Sequence, residues 1–384
     1  MGWPLVRLGE VAAQYSEYVT ELEPRPYKKL SVKLYGRGVV PDKPADGAEV
    51  RMTRHQIAKA GQVIVSEIWA KKGALGVVPS EGDGALCTSH FFLFDLDPSQ
   101  ISVEWFRYLS IANYFEPELG AAARGTTGYA SVRPKRFLDV QIPLPPLAEQ
   151  QRIVARLDRV AGLVAARERA TAAMEADMQA MLAKAFARCI EDAPRRPMAE
   201  VAPLIRRPVE IEPDTDYTEI GVRSFYNGIF HRRTMPGSEF SWQDLFWIKE
   251  GDLVFSNLMA WEKAIAVAEA HDEGTVGNHR MLTCEANPEL ATPGFLLAYF
   301  RTPEGFSSVV GNSPGTIARN KTLSSKKLPA IEVPVPPLET QRRFDRLQAK
   351  ARRIRTIRAA SALDADALIP ALLHQVFGAG DRAA

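Results

Sequence analysis

Ile142-Pro-Leu-Pro-Pro-Leu-Ala-Glu-Gln-Gln-Arg152 returns later in the chain as Val333-Pro-Val-Pro-Pro-Leu-Glu-Thr-Gln-Arg-Arg343, with Pro143 and Pro334 separated by 191 residues. Moving outward from these two peptides, other pairs keep nearly the same offset. Gly61-Gln-Val-Ile-Val-Ser66 answers Gly251-Asp-Leu-Val-Phe-Ser256 at 190, and Gly125-Thr126 answers Gly315-Thr316 at 190. His90 and His279 pair at 189, and Met181-Leu182 with Phe186 answers Leu372-Leu373 with Phe377 at 191. An ordered series of this kind marks a tandem duplication with divergent halves. The 384-residue length fits it, since roughly 100–200 residues make one domain.

Each half divides the same way. The segments before the Pro-rich peptides mix short β-rich runs, such as Gln62-Val-Ile-Val-Ser66 and Asp252-Leu-Val-Phe-Ser256, with Gly and Pro turns and single helical stretches. That pattern predicts a compact α+β domain with long surface loops. After each Pro-Pro pair the pattern turns helical, because proline at a first helical turn removes an N–H that has no partner there anyway. From Glu149 to Cys189 there is no proline, and Ile153, Leu157, Val160, Val164, Met174, Met178, Met181 and Ala185 recur at 3–4 spacing around Arg167 and Thr171. The second helix, from about Leu338 to Val376, carries the sparser series Leu347, Ala351, Ile354, Ser361, Leu368 and Leu372, and Pro370 should kink it or end it. Long amphipathic helices must bury their stripes somewhere, either on each other as a coiled coil or long helical hairpin or each on its own domain.

Composition excludes several classes. Hydrophobic residues make up 46% and charged residues 24%, which is ordinary for a globular chain. The cysteines Cys87, Cys189 and Cys284 form no CxxC pair, which argues against a disulfide framework or a zinc knuckle and for reduced thiols in an intracellular protein. No apolar run approaches the roughly 18 residues of a membrane span, and Pro4, Arg7 and Glu10 interrupt the N-terminal segment as no signal peptide would. A cytoplasmic location is the expectation. There is no GxxxxGK[ST] loop, Gly36-Arg37-Gly38 lacks the third glycine of a dinucleotide site, and neither Ser66 nor Ser256 lies in a GxSxG elbow. The six histidines fall into no metal-ligand spacing. No catalytic residue, metal or cofactor is expected in this chain.

The 48 Lys+Arg against 46 Asp+Glu leave a net charge of only +2, but the charge is unevenly spread. Cations and aromatics gather in loops at matched positions of the two halves. In the first these are Lys33, Tyr35 and Arg37; Trp69, Lys71 and Lys72; Ser89 and His90; then Arg124, Thr126, Thr127, Tyr129, Arg133 and Lys135. In the second they are Arg223, Tyr226, Asn227 and Arg232; Asn257, Trp261 and Lys263; Asn278, His279 and Arg280; then Thr316, Arg319, Asn320, Lys321 and Lys326. Phosphate contact needs cations and glycine-exposed N–H groups, and base reading needs Arg, Asn, Gln or His. A solvated surface would account for any one of these residues, but less well for the matched set. The stretch 342–358 adds eight basic residues against Asp345, a local charge of +7.

The doubled Pro-rich peptide, each copy opening a long helix that ends in a leucine-rich segment such as Met181-Leu-Ala-Lys-Ala-Phe186, resembles the specificity subunits of type I restriction-modification enzymes. The resemblance runs from Trp3 to about Gly378 and implies four segments. Residues 1–145 and 193–336 would be target-recognition domains, each reading one half of a split, asymmetric site on double-stranded DNA. Residues 146–192 and 337–378 would be spacer helices, paired antiparallel, that set the half-site separation and dock two methyltransferase subunits. Residues facing those partners would include Gln150, Arg152, Ile153, Leu157, Gln341, Arg343, Phe344 and Leu347. S-adenosylmethionine would belong to the methyltransferase subunits, and ATP with Mg²⁺ to a restriction subunit. A protein scaffold that binds no DNA, and a subunit of a methylation-only system, are the competing readings.

Overall fold

The computed structural model describes residues 3–50, 54–121, 131–240, 244–313 and 321–378. The predicted alternation of short strands and turns is present before each Pro-rich peptide. In the first repeat the strands are β1 (Leu5–Arg7), β2 (Ala12–Gln14), β3 (Pro26–Val32), β4 (Val39–Asp46), β5 (Gln56–Ala58), β6 (Val63–Ser66), β7 (Leu75–Val77), β8 (Ala85–Cys87) and β9 (Phe91–Leu96). Helices α1 (Val103–Ile111), α2 (Glu116–Ala121) and α3 (Pro134–Leu138), strand β10 (Gln141–Pro143) and the long helix α4 (Leu147–Ile190) follow. The second repeat opens with β11 (Arg195–Pro197), α5 (Met198–Val201) and β12 (Leu204–Ile205). Next come β13 (Asp216–Val222), β14 (Ile229–Pro236), β15 (Leu245–Trp247), β16 (Leu253–Ser256), β17 (Ile265–Val267), β18 (Val276–Asn278) and β19 (Met281–Cys284). It closes with α6 (Pro293–Arg301), α7 (Pro303–Gly311), β20 (Glu332–Pro334) and the long helix α8 (Leu338–Phe377).

The sheets recur in the same order. β2-β9-β6-β7 has its counterpart in β12-β19-β16-β17, and β4-β3-β8-β5 in β14-β13-β18-β15. In each repeat the first strand pairs antiparallel with the strand that carries the Pro-rich peptide, placing Leu5 opposite Pro143 and Arg195 opposite Pro334. Each strand-rich domain is therefore closed at its base, where its helix starts. Helices α1 and α6 begin at side-chain caps: Ser102 accepts from the Trp105 N–H at 3.1 Å and Thr292 from the Phe295 N–H at 3.3 Å. Among the described residues no helix is long and apolar enough to cross a membrane.

The chain forms two compact units, residues 1–170 with 359–384, and residues 171–358. In the first, Val63, Val65, Phe94, Trp105 and Phe106 pack with Ile153, Val154 and Leu157 of α4 and with Leu373 and Phe377 of α8. The Trp105 ring meets Trp3 at 5.6 Å and Phe377 at 4.9 Å. In the second, Leu253, Phe255, Phe295, Tyr299 and Phe300 pack with Phe186 of α4 and Phe344 of α8. There Phe186 lies 4.9 Å from Phe295 and 5.1 Å from Phe344. The helices run antiparallel within the second unit, because Phe186 faces Phe344 while the earlier Glu175 faces the later Arg355.

The buried faces of the long helices depart from the sequence expectation. Met174, Met181, Ile354 and Leu368 of the expected seams are exposed, whereas Val154 and Phe186 on α4, and Phe344, Ala365, Leu373 and Phe377 on α8, are buried outside them; Met178 is buried as expected. A straight helix drifts about 20° per heptad from a 3.5-residue repeat, about 120° over the length of α4, so one heptad seam cannot stay buried from end to end. Helix α8 continues through Pro370 to Phe377, so the proline does not end it. A proline in a helix costs about 3 kcal/mol, and burying Leu373 and Phe377 beyond it, at about 1.5–3 kcal/mol each, offsets that.

Candidate nucleic-acid interface

The cationic loops are joined by backbone hydrogen bonds. In the first unit the turn after β3 closes through Lys33 N–H to Gly38 O at 2.9 Å. Its tip binds the next cationic loop, through Tyr35 N–H to Lys72 O at 2.8 Å and Gly36 N–H to Gly73 O at 3.1 Å. Tyr35 adopts φ 58°, a left-handed conformation uncommon outside glycine, and Gly36 sits where an added Cβ would lie 2.2 Å from Ser110 O. Tyr35 at the tip is 52% exposed and Trp69 on the joined loop 47%, with the Lys72 ammonium 5.4 Å from the Trp69 ring centre. Glu67 fixes two further segments here. Its N–H donates to His90 O and its carbonyl accepts from the Val132 N–H, both at 2.8 Å. Its carboxylate faces His90 Nδ1 at 3.5 Å and Arg133 Nη1 at 3.6 Å. Lys33, Arg37, Lys72, Ser89, His90, Arg133 and Lys135 are exposed, and Lys71 is half-buried.

The second unit repeats this construction with different side chains. Arg223 N–H donates to Gly228 O at 2.9 Å, Phe225 N–H to Glu262 O at 3.0 Å and Tyr226 N–H to Lys263 O at 2.9 Å. Phe225 (φ 60°), Tyr226 (φ 58°) and Lys263 (φ 66°) are all left-handed. Phe225 takes the place of Tyr35 and is 67% exposed, and Met259 takes the place of Trp69 at 37%. Asn257 N–H donates to Arg280 O, and Leu323 N–H to Asn257 O. His90 therefore corresponds to Arg280, at the prevailing offset of 190, and not to His279, the match that residue type suggested.

Several expected reading residues are occupied in the fold. Asn278 is buried, donating to Glu219 Oε1 and accepting the Arg280 N–H, both at 2.9 Å. Glu219 also pairs with Arg233 at 2.9 Å and Arg232 at 3.8 Å. Tyr226 donates its hydroxyl to Phe300 O at 2.5 Å, and burial pushes that phenol up to about 12 against the opposing charge of Arg301. Burial in turn lowers the Arg301 guanidinium, which donates to Tyr226 O and is further destabilised by Arg352 and Arg355. Trp261 Nε1 donates to Leu258 O, Asn227 to Ser224 O and Arg223 to Ile229 O. His279, Arg280 and Lys326 are exposed, while Lys321 and Lys263 are half-buried. Arg124, Thr126, Thr127, Tyr129, Thr316, Arg319 and Asn320 lie outside the described residues. Sequence reading missed Glu67, Phe225 and Met259; the pairing of Gly38 with Gly228 at 190 already sets Phe225 opposite Tyr35, but residue type favoured Tyr226.

Of the residues expected to face a partner subunit, five are enclosed by the chain itself. Gln150 and Gln341 are fully buried, and Ile153, Leu157 and Phe344 belong to the two cores. Gln150 accepts from Ser102 N–H at 2.9 Å and donates to Gln100 O at 2.8 Å and Pro145 O at 2.9 Å. Gln341 does the same with Thr292 N–H at 3.0 Å, and with Leu290 O and Pro336 O at 2.8 Å. The reason is geometric: the glutamine sits one turn inside the helix, where its amide reaches both the Pro-rich peptide and the cap of α1 or α6. Arg152, Arg343 and Leu347 retain outward surface, with Arg152 held by Glu149 at 2.6 Å. Arg342, Arg343, Arg346, Lys350, Arg352 and Arg353 form an exposed cationic face on α8.

Residues 45–173 match the family model described as Type I restriction modification DNA specificity domain. Among solved structures, the HsdS subunit from Thermoanaerobacter tengcongensis is similar at 22% identity and TM-score 0.61, with 98% of this chain and 97% of that one covered. A chain from a structure titled for the complex assembly and conformational transition of the type I R-M system is similar at 22% identity and TM-score 0.65, with the same coverage. No curated protein matches the sequence. At this identity the structural likeness is one of fold. The chain is thus HsdS-like in fold and matches the DNA specificity domain over the stated residues.

Proposed function

We propose that this HsdS-like chain is the DNA-specificity subunit of a type I restriction-modification complex, each unit reading one half of a bipartite, asymmetric site. The observation that carries this reading is the paired tip: Tyr35 and Phe225 stand exposed at left-handed positions, at the same place in both units, on loops joined by the same two backbone hydrogen bonds. Holding a large exposed ring in a strained conformation costs stability, and its occurrence twice points to a ligand surface. A flat ring flanked by Lys33, Arg37 and Lys72, or by Arg223 and Lys263, suits a polyanion that also offers stackable or methyl-bearing bases. The two tips differ in chemistry, as unlike half-sites require.

In this reading cations supply salt-dependent affinity and the rings, with Arg37, His90 and Arg280, supply discrimination. The helices α4 and α8 set the half-site spacing, and outward faces such as the arginine-rich stretch of α8 dock two methyltransferase subunits. S-adenosylmethionine, and ATP with Mg²⁺, belong to the methyltransferase and restriction subunits. The test is modular exchange: replacing residues 1–145 with the equivalent segment of a relative, in complex with methyltransferase subunits, should change one half-site and preserve the other. Change in both halves, or in neither, refutes it.

A further inference from the structure

We infer that the second unit carries a binding site for a divalent transition-metal ion, built from His231, His271 and Asp272. His231 stands on β14, three residues past Gly228, and His271 and Asp272 lie in the turn Ala270–Asp272. His231 Nε2 is 3.1 Å and His271 Nε2 3.5 Å from the same oxygen, Asp272 Oδ1. One ligand atom from each residue lies within 4.8 Å of the others. Tetrahedral zinc with bonds of about 2.0–2.2 Å places its ligands roughly 3.3–3.5 Å apart, so small ring rotations seat the ion.

The surroundings fit metal ligation. Asp272 is buried, and its other oxygen accepts the Glu269 N–H at 2.9 Å, which fixes the carboxylate with Oδ1 turned to the imidazoles. His271 Nδ1 faces Glu269 Oε2 at 3.7 Å. When Nε2 binds a metal, the imidazole proton resides on Nδ1, so Glu269 would act as the carboxylate that orients a ligating histidine. Both rings are exposed, leaving further positions to water. Two imidazoles and one carboxylate select zinc, nickel, cobalt or copper(II); calcium and magnesium prefer oxygen ligands throughout.

The fold does not need this triad. The equivalent places in the first unit hold Pro41, Glu81 and Gly82, and the same turn (Ser80–Gly82) forms there with the same strand register, Pro41 opposite Leu30 as His231 is opposite Ile220. The cluster is an addition in the second unit, where an ion would tie β14, which carries Arg232 and Arg233 and leads out of the candidate DNA-contacting turn, to the turn beneath it. Sequence spacing hides the site because 40 residues separate the two histidines.

The experiment titrates the metal-stripped full chain with Zn²⁺ against a competing chelator, and with Co²⁺ followed by its visible spectrum. One site per chain is expected, with a Co²⁺ spectrum lacking a thiolate band. His231→Gln and His271→Gln, both at exposed positions, should each weaken Zn²⁺ binding by more than the roughly 10–100-fold typical of losing a supporting residue. Saturating Zn²⁺ should raise the unfolding temperature of the wild type and not of the double variant. Absence of saturable binding in the wild type, a thiolate band, or affinity unchanged in the double variant overturns the assignment.

Discussion

Replacing Gln341 tests how the repeated Pro-rich peptide works. The fully buried amide satisfies three backbone groups: the Thr292 N–H, the Leu290 carbonyl and the Pro336 carbonyl. Gln341→Ala leaves all three without that partner. The buried Pro336 carbonyl loses about 1–3 kcal/mol of compensation, and each of the two partly buried groups, which water can reach, about 0.5–1 kcal/mol, for a total of about 2–5 kcal/mol. Gln341→Met retains most of the volume and should recover only the cavity part of the loss. Gln341→Glu keeps an acceptor for Thr292 but turns a carboxylate oxygen toward two carbonyls, so it should lose stability at neutral pH and regain part of it on acidification, as protonation restores a donor. Because two units need not unfold together, the assay is native-state hydrogen exchange resolved by segment, read at α6 and at residues 338–345. A loss under about 1 kcal/mol in both the Ala and Met variants would mean that hydrogen bonding by the glutamine does not join the domain to its helix, and the reasoning would fail. Gln150→Ala should give the same loss in the first unit.

Tyr35→Ala and Phe225→Ala should each weaken specific DNA binding by about 1–3 kcal/mol, or 5–150-fold, while leaving the unfolding temperature within a degree or two; binding assays on sites mutated in one half should assign each ring to a different half. Glu175 is held below its ordinary value first by the hydrogen bond from Arg355 and then by Gln179. A lowered folded value means the Glu175–Arg355 pair stabilises above the ordinary glutamate range and loses its effect as pH falls through the lowered value. Acid unfolding curves of the wild type and Glu175→Gln should therefore converge from about pH 5 downward, with a gap under about 1 kcal/mol at neutrality because the pair is a third exposed. Gly162 lies inside α4 with nothing within 4 Å of an added Cβ, so Gly162→Ala should stabilise by about 0.5–1 kcal/mol, measured by urea unfolding.

Much of the fold is legible in the sequence. Short β-branched runs such as Val63–Ser66, the Pro-Pro pairs and the long proline-free stretch after Pro146 act locally, through backbone geometry and side-chain shape. The candidate site is legible in part. Matched cationic loops could be picked out, but the roles of Asn278, Tyr226 and Gln341 could not, because each is decided by a backbone carbonyl or carboxylate more than 45 residues away. His90 was matched to His279 by residue type, whereas the hydrogen bonds to Glu67 and Asn257 equate it with Arg280.

The sequence by itself determined the duplication, the order of mixed domain then long helix within each copy, and the concentration of positive charge that a net +2 conceals. Tertiary structure decided which helix completes which core. Phe377, which ends the second repeat, packs on Trp105 in the first unit, and Phe186, which ends the first, packs on Phe295 in the second. A sequence pattern gives the period and the length of a helix, but not where its far end lands. At about 1.5 Å per residue, a helix of some 40 residues carries its last apolar side chains about 60 Å from its start. Only the three-dimensional path of the chain determines which core those side chains enter.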